Sequence, residues 1–178
     1  MLRSLRVHNF KAWRDTGPLK LAPLTLLFGS NSSGKSSINH FLMMLRQTMR
    51  SPDRNSVFDF GDVNAAVRLG SFRDVVFRHD LAGELDFMME WKLPTPMTVR
   101  DPRSRRRYTG DLLDFRAKAA QPAGRRTVQS EGFEYRLSSG DETSLAVSLN
   151  RDRKRPTRWR LVGRFLNSLV VLVVEGAS

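Results

Sequence analysis

Cysteine is absent from this 178-residue sequence, and only three histidines are present. The absence of cysteine excludes disulfide bonds and thiolate metal sites, and it is typical of proteins from a reducing compartment. His8, His40 and His79 lie far apart along the chain, so they do not form the spacing pattern of a metal site. We therefore expect neither a disulfide-stabilised fold nor a histidine-based metal centre.

Long hydrophobic runs are also missing. The one long apolar run extends from Leu169 to Val174, which is far short of the roughly 20 apolar residues that a membrane-spanning helix needs. Arg3 and Arg6 interrupt the N-terminal segment too early for a signal peptide. These features predict a protein that resides in the cytoplasm.

Acidic residues are scarce relative to basic ones, and the formal net charge is +12. Such a balance favours either a polyanionic partner such as nucleic acid or simply a solvated basic surface. The basic residues concentrate in segments 103–107, 122–126 and 151–160, where DNA contacts would be independent of sequence and sensitive to salt. Trp159 lies between two arginines and would either stack on a base or, as the alternation favours, face the core.

The apolar pattern changes from strand-like to helical and back. Leu5–Phe10 alternates like a half-buried strand, and Leu24–Phe28 is typical of a strand buried on both faces. From Ser36 to Met49 apolar residues recur at helical spacing, and Ser51–Asp53 ends that helix. Segment 54–80 gives no clear period and is predicted to be loops with short elements. Alternation predicts further strands around residues 85–91, 133–137, 145–149 and 159–161.

A phosphate-binding motif lies between the apolar run and the helix. Residues 29–36 match the pattern G-x-x-x-x-G-K-[ST] at every fixed position. Gly29 and Gly34 permit the backbone torsions that let N–H groups turn towards phosphates, and the helix start adds its positive dipole end. Lys35 can reach the β- and γ-phosphates, and the Ser36 hydroxyl is placed to bind Mg²⁺.

The motif predicts that Mg²⁺ and ATP bind here, with Lys35 as the catalytic residue and Ser36 as the Mg²⁺ ligand. The predicted nucleotide contacts are Gly29, Ser30, Asn31, Ser32, Ser33, Gly34, Lys35, Ser36 and Ser37. The predicted fold is α/β, with mixed α+β character: a P-loop strand-loop-helix unit in residues 1–50, then an antiparallel β-rich lobe in residues 51–178. Both parts would belong to one incomplete P-loop ATPase domain.

Two stretches, Leu5–Lys11 and Pro23–Ser37, resemble the N-terminus of ABC-type ATPase heads of the RecF, SMC and OLD proteins. Asn31 in the loop is typical of that group, and Leu69–Asp74 resembles bacterial AAA-family ATPases. The resemblance covers about the first 80 residues. It implies ATP binding, pairing of two heads around ATP, and hydrolysis linked to DNA repair, chromosome maintenance or phage defence. It also implies that Lys11 lies near the nucleotide, although a solvent-facing strand end is the favoured interpretation.

Two parts of such a head are not visible in the sequence: the apolar strand ending in Asp-Glu, and the LSGG-like signature. The tail Leu169–Glu175 lacks the aspartate and is better interpreted as a hydrophobic terminal strand. Hydrolysis would therefore need a second ATPase half or a head dimer. The alternative is a non-enzymatic basic module that binds nucleic acid or a partner and keeps a vestigial P-loop. A small-molecule kinase is less favoured because the pattern turns antiparallel after the helix.

Overall fold

The computed structural model describes residues 1–53, 56–101, 105–152, 158–165 and 168–175, with Phe165 and the last range described by their backbone alone. Residues 35–50 form the one long helix within these ranges. The strands are β1 (Leu2–Phe10), β2 (Trp13–Asp15), β3 (Leu19–Lys20), β4 (Leu85–Arg100), β5 (Arg107–Ala120), β6 (Gln129–Ser139), β7 (Glu142–Arg151), β8 (Arg158–Phe165) and β9 (Ser168–Glu175), and the helices are α1 (Lys35–Arg50) and α2 (Phe72–Val75), followed by a 3-10 turn at Phe77–His79.

One nine-stranded sheet organises the described chain. Its strand order is β2-β1-β4-β5-β6-β7-β8-β9, and β3 also pairs with β1. Every strand pair in the described ranges is antiparallel. From β4 onwards each strand pairs with its successor in the chain, so this part is a meander of hairpins.

Helix α1 packs on one face of the sheet, over β1, β4 and β5. The alternating residues Leu5 and Val7 on β1 and Leu85 and Phe87 on β4 point to this face and are buried. Phe41 on α1 is fully buried, and its ring centroid lies 5.1 Å from that of Phe87. The helical stripe predicted from the sequence contributes Ile38 and Phe41 to the core, whereas its last member, Met49, is 74% exposed.

Polar side chains of α1 fix the irregular segment that follows it. The Gln47 side chain donates to the carbonyl of Asp59 at 2.7 Å, and the Thr48 hydroxyl accepts from the Asp59 N–H at 2.9 Å. The described residues of segment 56–80 contain only α2 and the 3-10 turn, in agreement with the predicted loops and short elements. A capping box between Ser71 and Asp74 starts α2.

The pairing of the β4–β5 hairpin is interrupted by a bulge. The pairing shifts between Lys92 and Met97, a stretch that contains Pro94 and Pro96. Proline cannot donate a ladder hydrogen bond, so a bulge is where a strand tolerates it. The part of the hairpin beyond this bulge contributes to a second small apolar cluster, which is built around Tyr108, Leu137 and Leu145.

The predicted α/β fold class is wrong, because Leu24–Phe28 forms no strand. This segment lies outside the sheet, and the exposed fractions of Leu24 and Phe28 are 77% and 86%. A strand buried on both faces needs neighbouring strands to bond its backbone and layers to cover its side chains. Every strand in the described ranges is part of the antiparallel sheet, so the P-loop helix is present without a P-loop strand.

Two further elements differ from or extend the predictions. Strand β5, with 14 residues, was not predicted, although its neighbours β4 and β6 were. The apolar tail forms β9, a strand at the β8 end of the described sheet, in line with the favoured interpretation of a hydrophobic terminal strand. Residues 1–50 and 51–178 share one sheet, since β1 pairs with β4.

Candidate functional site

The phosphate-loop motif lies between the exposed segment Leu24–Phe28 and the start of α1. Gly34 is the N-cap residue of α1, with φ 87°, a left-handed conformation that favours glycine. Lys35 is the first helical residue. The structure therefore places the loop directly before the N-terminus of a 16-residue helix, as the motif predicts.

Neighbouring side chains leave little room for a Cβ atom at either fixed glycine. A Cβ atom at Gly29, where φ is 149°, would lie 3.0 Å from the Ser33 hydroxyl oxygen across the loop. A Cβ atom at Gly34 would lie 2.6 Å from Nε1 of Trp13 and 3.0 Å from Cβ of Ala12. The loop is thus closed on itself at its start and pressed against the turn between β1 and β2 at its end.

The Lys35 side chain folds back into the loop. Its ammonium donates to the carbonyl oxygens of Gly29 at 2.8 Å and Ser30 at 2.6 Å, and to the Ser33 hydroxyl at 3.4 Å. The ammonium therefore shares three oxygen acceptors of the loop, among which a flexible lysine side chain can move. The structure brings Gly29, Ser30, Ser33 and Lys35 together.

The start of α1 carries no competing anion. Its first turn contains no acidic residue, and no side chain caps it. Because the dipole of a helix attracts negative charge to its N-terminus, an uncapped and acid-free start is suited to an external phosphate. Asn31, Ser32 and Ser36 are exposed there, whereas Ser37 is buried and its N–H donates to the carbonyl of Gly34 at 3.0 Å.

Trp13 was not among the predicted site residues, yet it touches the loop. Its indole N–H donates to the carbonyl oxygen of Gly34 at 3.0 Å. The residue begins β2 and pairs with Phe10, the last residue of β1. The sequence places Trp13 and Gly34 21 positions apart, so no local pattern indicates this contact.

Lys11 lies on the same side of the sheet, beside α1. Its backbone N–H donates to the carbonyl of Val75 at 2.6 Å, and its φ is 47°. Burial lowers the pKa of His40 on α1, and the positive charge of Lys11 lowers that pKa further. Lys11 is half-buried rather than fully solvent-facing. Asn9 fixes the neighbouring backbone, because its side-chain oxygen accepts from the N–H of Phe77 at 3.2 Å.

The apolar tail forms a strand that is far from β1 in the order of the sheet. The backbone of Glu175 is in register with Arg158 on β8, and β9 lies six strand positions from β1, roughly 29 Å when measured along the sheet. Within the described ranges, no group of three or more histidine or acidic side chains is arranged to hold a metal ion. Ser36 is therefore the one predicted Mg²⁺ ligand that the structure places at the loop.

The predicted basic segments divide between the two ends of the sheet. Segment 122–126 joins β5 to β6, and Arg151 and Arg158 border the β7–β8 connection, at the sheet end where β1 reaches the loop. Arg105–Arg107 lies at the opposite end, in the β4–β5 connection. Arg103, Ser104 and the segment 153–157 fall outside the described residues. Half-buried Trp159 contacts Arg151, whose guanidinium carbon lies 4.9 Å from the ring centroid.

The sheet face opposite α1 carries charges of both signs. Arg6 pairs with Asp15 at 2.5 Å, and Arg116 pairs with Asp86. The Arg6 guanidinium, helped by the Gly17 N–H, lowers the pKa of the Asp15 carboxyl. Arg136 on the same face pairs with Glu134, so three arginines of this face have acidic partners.

Comparison with models of known protein families found no match, and no curated protein matched either. The resemblance to ABC-type ATPase heads therefore stays a prediction. None of the helices in the described part of the chain is long and apolar enough to cross a membrane.

Proposed function

We propose that this chain binds Mg-ATP through residues 29–36, as the N-terminal portion of an ATPase of the RecF, SMC and OLD group. The observation that carries the proposal is the closed loop at the uncapped start of α1, with the Lys35 ammonium inside it. A helix N-terminus and a mobile cation lie together there, and this combination attracts a polyphosphate. Ser36 would supply the Mg²⁺ ligand from the chain itself.

Turnover requires groups that the described residues do not bring to the loop. Fast phosphoryl transfer needs a residue that positions or activates water, and no group of three or more histidine or acidic side chains in the described ranges is arranged to hold a metal ion. We propose that a second ATPase half or a second head supplies these groups. The exposed apolar side chains of Leu24, Leu26 and Phe28 support this, because they border the loop and would be covered by such a partner. The natural context would be DNA repair, chromosome maintenance or phage defence in the cytoplasm.

Isothermal titration of Mg-ATP into the purified chain tests the proposal. We expect saturable binding that Lys35→Ala weakens at least about tenfold, because a charge-assisted contact to phosphate is lost. Lys20→Ala is the matched control, since it removes the same charge from exposed β3. Absence of binding by a wild-type chain that circular dichroism shows to be folded would contradict the proposal. Equal losses of affinity in both variants would show that the effect comes from net charge alone.

A second candidate function is a basic module that binds nucleic acid independently of nucleotide. The specific observation in its favour is that segment 122–126 and the border of the β7–β8 connection share one end of the sheet. Binding of a labelled oligonucleotide, followed by fluorescence anisotropy, would then fall steeply with salt and survive Lys35→Ala. For a nucleotide-dependent ATPase, Lys35→Ala would instead abolish any effect of ATP on oligonucleotide binding.

A further inference from the structure

We infer that Trp13 is a positioning residue for the phosphate loop, an inference that rests on the proposed nucleotide binding. The contact is a single hydrogen bond of 3.0 Å from the indole N–H to the Gly34 carbonyl. Gly34 is the residue at which the loop ends and α1 begins. A donor on strand β2 therefore holds the junction between the loop and α1.

The surroundings of Trp13 make it a rigid support. The residue is half-buried, packs against the main core and pairs with Phe10 in the β1–β2 hairpin. Phe10 in turn packs edge-on against Phe41 of α1, with ring centroids 5.2 Å apart. The hairpin thus contacts the loop–helix unit twice, once through the core and once through the Gly34 carbonyl.

The close packing at Gly34 supports the same conclusion. A Cβ atom there would meet both Nε1 and Cε2 of Trp13, at 2.6 and 3.0 Å. The left-handed φ of 87° and the indole therefore exclude a side chain by independent means. Since the Gly34 carbonyl accepts from both Trp13 and the Ser37 N–H, its direction is fixed, and with it the plane of the peptide that carries the Lys35 N–H.

Trp13→Phe tests the inference, because it removes the N–H donor and keeps an aromatic ring. The two ligands are Mg-ATP and Mg-pyrophosphate, titrated into wild type, Trp13→Phe and Trp91→Phe. Trp91 is the matched control, since it pairs with Leu2 at the far end of β1. We expect Trp13→Phe to weaken both ligands about five- to tenfold, the effect of one lost hydrogen bond, and Trp91→Phe to change neither.

Three results would overturn the inference while leaving nucleotide binding intact: unchanged affinities in Trp13→Phe, a loss confined to ATP, or equal losses in both variants. A loss confined to ATP would assign Trp13 to the base rather than to the loop. Wild type that binds neither ligand would overturn the proposed function, and this inference with it.

A second measurement does not depend on the stability of Trp13→Phe. In the Trp91→Phe/Trp159→Phe double variant, Trp13 is the one remaining tryptophan. We expect its fluorescence to change with pyrophosphate and to saturate at the concentration that calorimetry gives. Constant emission during saturable binding would overturn the inference, because pyrophosphate held by this loop would place its charge beside an indole that contacts Gly34.

Discussion

The two segments that flank the phosphate loop are both apolar, but only one of them is buried. Before the loop, Leu24, Leu26 and Phe28 have exposed fractions of 77%, 64% and 86%. After the loop, Ile38, Phe41 and Met44 have exposed fractions of 4% or less. The loop thus joins a solvent-exposed segment to a helix that lies at the centre of the core.

The difference follows from how each segment satisfies its backbone. A helix bonds its own N–H and C=O groups, so α1 needs only a surface for its apolar stripe, and the sheet provides one. An extended segment needs another strand beside it, and within the described ranges none pairs with residues 24–28. An apolar run therefore predicts a requirement for burial and does not reveal where its neighbours come from.

The strongest test of this comparison replaces a phenylalanine with alanine on each side of the loop, in two separate variants. Phe41→Ala should lower the free energy of unfolding by about 3–5 kcal/mol, because it opens a cavity in the core. Phe28→Ala should change it by no more than about 0.5 kcal/mol, because the ring is already in water. Urea denaturation of the isolated chain measures both. Comparable losses would show that the segment before the loop is buried in solution.

A smaller effect is expected at the junction itself. Gly34→Ala should cost about 2–3 kcal/mol, since it adds a left-handed alanine and a contact with Trp13. Gly124→Ala is the control, because its φ is 74° and no atom lies within 4 Å of the added Cβ. Its expected cost is about 1 kcal/mol from the backbone alone. If Gly34→Ala and Gly124→Ala lower the denaturation midpoint equally, the Trp13 indole moves aside for the added methyl group without loss of stability.

The smallest expected effect concerns pH and His40 on the buried flank. Its pKa in the folded chain is lowered from 6.5, so the unfolded chain takes up the proton more readily. Stability should decline as pH falls below about 6.5 towards the lower folded pKa. His40→Gln should remove less than about 1 kcal/mol of this decline, because the ring is only partly buried. Denaturation of both proteins at pH 7.5 and 5.5 provides the measurement, and identical slopes would refute the assignment.

Local sequence patterns were enough for helix α1. The period of Ile38, Phe41 and Leu45 predicts α1, and the fixed glycines and Lys35 predict a phosphate loop at its start. The alternating strands β4, β6 and β7 were also predicted. In each case the residues that cause the structure lie within a few positions of one another.

The remaining features depend on distant partners. Strand β5 contains Asp111, Asp114 and Lys118 among its apolar residues, which obscures the alternation until its two neighbours are known. Leu24–Phe28 fits a buried strand by composition and fails for lack of a neighbour. The contact between Trp13 and Gly34 arises only when the β1–β2 hairpin packs beside α1.

The proline-containing bulge in β4 also bears on solubility. β1 accompanies β4 as far as Lys92, where reciprocal hydrogen bonds link Met1 and Lys92. Immediately beyond, one edge of β4 loses its β1 neighbour, and Pro94 and Pro96 occupy this stretch. A strand edge that offers N–H groups is a template on which another chain can add and aggregate. Pro94 and Pro96 have no backbone N–H groups, so they interrupt that template. They do so where β4 changes from having a neighbour on both edges to having β5 alone.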